Sequence, residues 1–150
     1  MSKMYLMVGC AGAGKSSFIK EHIKPNEIVI SRDKIRLSMI QDGDTFFIKE
    51  DKVYKEFISQ INAAITANLT FYVDQTSLNQ GSRSKLLSHL EKKPDKIIAI
   101  YIKKPLEIIR KQNAQRTGLA LVPEKVIDDM YRILTPPTKK EGFDEIWTIE

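Results

Sequence analysis

Short apolar runs alternate along the chain with stretches whose apolar residues recur every three or four positions. Tyr5-Leu6-Met7-Val8 ends at Gly9 and predicts a buried strand. Lys15 to Ile23 follows as a helix, halted by Lys24-Pro25-Asn26. Glu27-Ile28-Val29-Ile30 predicts a second strand, and Asp33 is placed to cap a helix through Ile40. Within residues 49–68, Val53, Phe57, Ile61, Ala64 and Ile65 form one helical stripe. Phe71-Tyr72-Val73-Asp74 predicts a third strand, a helix runs from about Gln80 to Leu90, and Lys96 to Ile102 predicts a fourth strand. Pro105 suits the first turn of a helix ending near Thr117-Gly118, Pro123 opens another through about Ile133, and Glu145–Ile149 predicts a last strand. Continuous apolar strands separated by helices predict an α/β fold: a parallel sheet covered on both faces. Ligands of such sheets bind beyond the carboxyl ends of the strands.

At 150 residues the chain has the length of one ordinary domain. No apolar run approaches the ~20 residues of a membrane-spanning helix, and the N-terminus lacks the apolar stretch of a signal peptide. The single cysteine, Cys10, has no internal disulfide partner, which fits a reducing, cytoplasmic setting. The net charge of +5 is unevenly spread: residues 83–116 carry ten Lys/Arg against three acids, and residues 41–82 three against six. A basic cleft for a polyanion and a set of solvated lysines both fit that pattern.

The first strand is followed by Gly9-Cys10-Ala11-Gly12-Ala13-Gly14-Lys15-Ser16, a complete GxxxxGK[ST] phosphate loop. Backbone N–H groups must curve around a phosphate there, so side chains are absent where the anion approaches. The helix beginning near Lys15 turns its positive end to the same anion. Lys15 then reaches the β- and γ-phosphates and the Ser16 hydroxyl ligates Mg²⁺, which predicts ATP binding. Cys10 is either a thiol activated in that field or a small loop residue.

Asp33 lies just past the second strand, across from this loop. It is either an N-cap or the carboxylate that takes the proton of an attacking hydroxyl. Arg36, one turn on, is either a surface residue or a bidentate grip on a substrate phosphate. Asp74 ends the third strand in the apolar-then-acid pattern that supports Mg²⁺. Asp74-Gln75-Thr76-Ser77 lacks the DxxG of a GTPase switch, and no NKxD follows. Arg116 either complements the end of its helix or folds over the phosphates in the transition state.

Taken together, these residues resemble the kinase domain of the polynucleotide 5′-kinases. The resemblance rests on Gly9–Ser16, Arg32-Asp33 with Arg36, Val73-Asp74 with Thr76, Asn113 and Arg116, and the closing Pro136-Pro137-Thr138-Lys139-Lys140-Glu141-Gly142-Phe143. It implies a P-loop kinase fold with a five-stranded parallel sheet, as one domain over residues 1–150 with a lid around 110–122. It implies ATP and Mg²⁺ as cofactors and 5′-hydroxyl ends of DNA or RNA as the acceptor. Asp33 would be the base; Gly9, Gly12, Ala13, Gly14, Lys15, Ser16, Ser17, Gln112 and Arg116 would bind the nucleotide. Ser16 and Asp74 would hold the metal, and Arg36, Asp74, Thr76 and Arg83 would serve the substrate. Ser77 stands where family members often have asparagine, and Gln112 replaces an arginine of some relatives. Another hydroxyl acceptor (a nucleoside, a modified base in DNA, a small metabolite) and a non-catalytic nucleotide switch are the alternative readings.

Overall fold

The computed structural model describes residues 1–150. Five strands form one parallel sheet: β1 (Lys3–Val8), β2 (Ile28–Ser31), β3 (Thr70–Asp74), β4 (Lys96–Ile102) and β5 (Glu145–Ile149), in the order β2-β3-β1-β4-β5. Six α-helices connect them: α1 (Lys15–His22), α2 (Arg32–Met39), α3 (Glu50–Thr66), α4 (Gln80–Ser88), α5 (Leu106–Ala114) and α6 (Glu124–Ile133). None is long and apolar enough to cross a membrane.

Alternation along the central strand builds two cores, because successive side chains of a strand point to opposite faces. Met4 and Leu6 join one buried cluster with Phe57, Ile61 and Leu86, so α2, α3 and α4 cover that face. Tyr5 and Met7 join the other with Phe18, Ile109 and Ile127 from α1, α5 and α6. The whole stripe of α3 is in the first core, so this helix packs internally. The chain leaves β1 toward one face and its neighbour β3 toward the other. A crevice therefore opens between them at the carboxyl edge of the sheet, where a parallel α/β sheet places its ligand.

Register brings the functional segments to that edge. Ser31 pairs opposite Asp74, and Leu6 opposite Val73, so the loops after β1, β2 and β3 begin close together at one edge. One boundary departs from expectation in a way that matters. Ser31, not Asp33, is the N-cap of α2, its hydroxyl accepting the Lys34 N–H at 3.2 Å. Two residues with capping side chains stand close together here, and the one whose backbone is still extended takes the role. The Asp33 carboxylate is thereby left for other work.

Candidate active site

The loop after β1 is shaped by three glycines with different tasks. A Cβ on Gly9 would lie 3.2 Å from the Ile102 carbonyl at the end of β4, and the Gly9 N–H donates to the Thr76 carbonyl at 2.9 Å. Gly12, at φ +85°, lies where a Cβ would sit 3.1 Å from the Ile109 carbonyl, so the loop rests on α5. Gly14, at φ +107°, faces open space. Gly14 is also the N-cap of α1, with no side-chain cap, so the first-turn N–H groups of Lys15, Ser16 and Ser17 have no intrahelical acceptor. That combination of open space, free donors and helix dipole suits a phosphate. Ala13 buries its methyl in the second core, and its N–H donates back to the Cys10 carbonyl at 3.0 Å, which shapes the loop.

Lys15 is 8% exposed and arches over the loop, donating to the carbonyls of Gly9 at 3.0 Å and Cys10 at 2.9 Å. Burial pushes its ammonium pKa down; Asp74 and Asp33 lie near enough to push it back up, and Arg116 near enough to add to the lowering. The two acids and the arginine thus share the field of this one ammonium. Cys10 is buried, and burial pushes its thiol up, so it is a small packed residue and not an activated nucleophile.

The Ser16 hydroxyl donates to Asp74 Oδ2 at 3.0 Å across the crevice. A hydroxyl and one carboxylate are the hard oxygen donors that Mg²⁺ takes from a protein when phosphate oxygens and waters complete its octahedron. Two protein oxygens alone do not fill that octahedron, so an ion here would need the oxygens of a bound nucleotide as well. Thr76 contributes its carbonyl to the Gly9 tether, with its side chain half-buried. Ser77 next to it takes a left-handed φ of 47° with its hydroxyl buried and unpartnered, a conformation that asparagine or glycine adopts at lower cost.

Arg36 is a correction. It is only 5% exposed, and every arm of its guanidinium is engaged. Nε and Nη2 donate to the Glu50 carboxylate at 2.8 and 2.7 Å, and Nη1 donates to Asp33 Oδ1. The rings of Phe46 and Phe47 cover it, 4.9 and 5.0 Å from its central carbon. Enclosed by Glu50 and the two rings, Arg36 is turned to partners within the protein and supports Asp33, whose side chain remains 70% exposed. Glu50, in the first turn of α3, is the residue that sequence reasoning missed. It also accepts from Arg32 at 2.6 and 3.0 Å, and these bonds, Arg36 foremost, hold its carboxyl below the usual range.

Arg83 is the second correction. Expected against a nucleic-acid backbone, it is fully buried, donating to Glu141 at 2.7 Å and to the Ser77 and Thr135 carbonyls at 2.9 and 3.0 Å. Glu141 also accepts the Thr138 N–H, so the closing Pro-Thr-x-x-Glu-Gly-Phe segment is a receptor for this arginine. Burial alone would raise the Glu141 carboxyl, but the bonds from Arg83 and Thr138 outweigh it and hold the pKa low. Removing one partner of such a pair strands a buried charge. Arg83→Met is therefore expected to cost about 3–5 kcal/mol in urea unfolding, with Arg83→Met/Glu141→Leu recovering much of the loss. A single variant within about 1 kcal/mol of the parent protein would refute this reading of the pair.

At the far rim, Gln112 is exposed and its side chain makes no hydrogen bond. Its neighbour Asn113 is 4% exposed and exchanges two bonds with the backbone of Val122, at 2.6 and 3.0 Å, closing residues 114–121 into a loop. Arg116 lies at the base of that loop. Its Nη1 is buried with no partner, whereas Arg32, Arg36, Arg83, Arg110 and Arg132 all make ion pairs.

A glycine loop feeding a helix N-terminus beside a strand-end acid, at the switch point of a parallel sheet, defines a P-loop nucleotide-binding domain of the kinase fold. A family model described as an AAA domain matches residues 4–137, and the chain belongs to that family. It is 26% identical to an L-seryl-tRNA(Sec) kinase of Methanococcus maripaludis, over 94% of this chain and 56% of the relative, so the chain spans about half the length of that curated relative. Among solved structures it is similar to the Pnkp1/Rnl/Hen1 RNA repair complex, with TM-score 0.75, 21% identity, and coverage of 89% of this chain and 44% of that one. A sugar kinase from Janibacter gives TM-score 0.68 at 13% identity, covering 99% and 86%. A gluconokinase from Sinorhizobium meliloti gives 0.63 at 17%, covering 97% and 81%. At these identities the structural likenesses speak for the fold.

Proposed function

We propose that the chain is an ATP-dependent kinase whose acceptor is a hydroxyl carried on a nucleic acid, in the first place the 5′-hydroxyl of a DNA or RNA end. The observation that carries the kinase reading is the Asp33 carboxylate: freed from capping by Ser31, exposed, and held by Arg36 on the side of the crevice whose field reaches Lys15. Nucleotide binding alone gives no reason for a carboxylate so supported. As the acceptor oxygen forms its bond to Pγ, the bond from Pγ to the β–γ bridging oxygen breaks and ADP leaves. The acceptor's proton passes to Asp33. Lys15 and Arg116 face the charge spread over the transferring group, with the lid around residues 110–122 bringing Arg116 over it. Bound Mg²⁺, on Ser16 and Asp74, supplies further neutralisation of the phosphates.

The acceptor class rests on the resemblance to polynucleotide 5′-kinases, on the similarity to a kinase of an aminoacyl-tRNA and on the fold shared with an RNA repair complex. A second reading, in which a small metabolite supplies the hydroxyl, is favoured by the burial of Arg36 and Arg83, which removes both phosphate contacts expected for a strand. The chain is incubated with γ-labelled ATP and, in parallel, 5′-OH RNA, 5′-OH DNA, seryl-tRNA, nucleosides and gluconate. Label on a nucleic-acid acceptor, with a Km that rises with salt, supports the first reading. Label on gluconate or a nucleoside alone replaces it with the second.

A further inference from the structure

With Arg36 enclosed, the surface beside Asp33 offers an acceptor something other than charge. Phe46 and Phe47 meet edge to face, centroids 4.8 Å apart, and both rings lie against the guanidinium that holds Asp33. The Phe47 ring and the proposed base thus share one neighbour, the Arg36 guanidinium. Phe47 is also 64% exposed, more than any other large apolar side chain except the N-terminal Met1. A ring that touches a cation and one other ring and is otherwise in water is poor packing for a residue whose only task is to shield Arg36, since Phe46 already covers the same group at 4.9 Å. Exposed aromatics beside a reaction centre suit flat π-systems, because every nucleobase offers a face to stack.

We propose that Phe47, braced by Phe46 and Arg36, is the stacking platform for the base of the nucleotide that carries the acceptor hydroxyl. The inference rests on the nucleic-acid reading above and names the contact that replaces the phosphate grip expected of Arg36. Stacking explains how a chain whose Arg36 and Arg83 are both buried can still hold a strand end over Asp33. It is also tolerant of base identity, since it reads a π-face and no hydrogen-bond pattern.

The test uses the full chain, γ-labelled ATP and single-stranded 5′-OH oligonucleotides whose terminal nucleotide is either intact or abasic, with the corresponding free nucleoside run alongside to separate a strand end from a mononucleoside as the source of the base. Phe47→Ala is expected to raise the Km for the intact end roughly 5- to 100-fold and to leave the Km for ATP unchanged. On the abasic end, Phe47→Ala and the parent protein are expected to coincide. Phe47→Trp should restore the intact-end Km, whereas Phe47→Leu, which still covers Arg36 but has no π-face, should not. An equal rise on the abasic end, or full restoration by leucine, overturns the platform in favour of a packing role. Should no acceptor be phosphorylated, binding of an oligonucleotide with 2-aminopurine at its 5′ end separates the two ideas. Fluorescence quenching that is lost in Phe47→Ala upholds the platform while the kinase reading falls, and no quenching by the parent protein overturns the platform too.

Discussion

Arg116→Ala is expected to slow phosphoryl transfer about 10³-fold or more, the range in which an arginine over a transferring phosphoryl group acts. The argument starts from what the other arginines do. Arg32, Arg36, Arg83, Arg110 and Arg132 each rest on a carboxylate, while Arg116 has none and buries Nη1 unpartnered. A buried, unsatisfied cationic donor is costly unless a ligand completes it. Its charge already reaches the Lys15 ammonium, which places it beside the loop that would hold the β- and γ-phosphates. The rival role, a cation near the C-terminus of α5, predicts a different result: a stability loss of about 0.3–1 kcal/mol and little change in rate. Measuring kcat and Tm on the same variant separates them. Arg116→Lys should recover part of the rate, because it restores charge without the planar fork. A rate within about tenfold of the parent would withdraw Arg116 from the chemistry.

The phosphate loop and the parallel sheet covered on both faces are legible in the sequence because their signals are local. Strand β4 is apolar and buried without interruption from Ile97 to Ile102, since both its faces are covered, and the α3 stripe falls at helical spacing over its full length. Glycine spacing, a strand before and a helix after identify the loop without knowledge of anything distant. What eluded sequence reasoning has one common cause, the partner of a charged side chain. Arg36 finds Glu50 fourteen residues away, around a turn whose path only tertiary packing fixes. Arg83 finds Glu141 fifty-eight residues away, across one strand and two helices. For each arginine the sequence suggests an outside partner, because its inside partner lies beyond any local pattern. Asp33 illustrates a smaller failure of the same kind: Ser31 and Asp33 are both good caps, and backbone conformation at Ser31 decides between them.

Asp33→Asn is expected to reduce transfer about 10²- to 10⁴-fold, the contribution of a positioned general base, while the affinity for ATP changes little. Asparagine keeps the shape of the side chain and an oxygen that can accept from Arg36 Nη1, so the Arg36–Glu50 support survives the change. What it loses is a site for the acceptor's proton. The reaction then depends on that proton leaving to water. Two features make the variant informative. Asp33 neither caps α2 nor lies in a core, so folding should be preserved, and urea unfolding and ATP binding verify this before any rate is read. Asp33 is also one of the acids that raise the Lys15 pKa, so a purely electrostatic role would weaken ATP binding as well as transfer. Loss of transfer with ATP binding intact identifies a base; matched losses identify a carboxylate that merely keeps Lys15 charged. Transfer at the parental rate would remove Asp33 from the reaction and leave the crevice a nucleotide site whose acceptor is activated by another group.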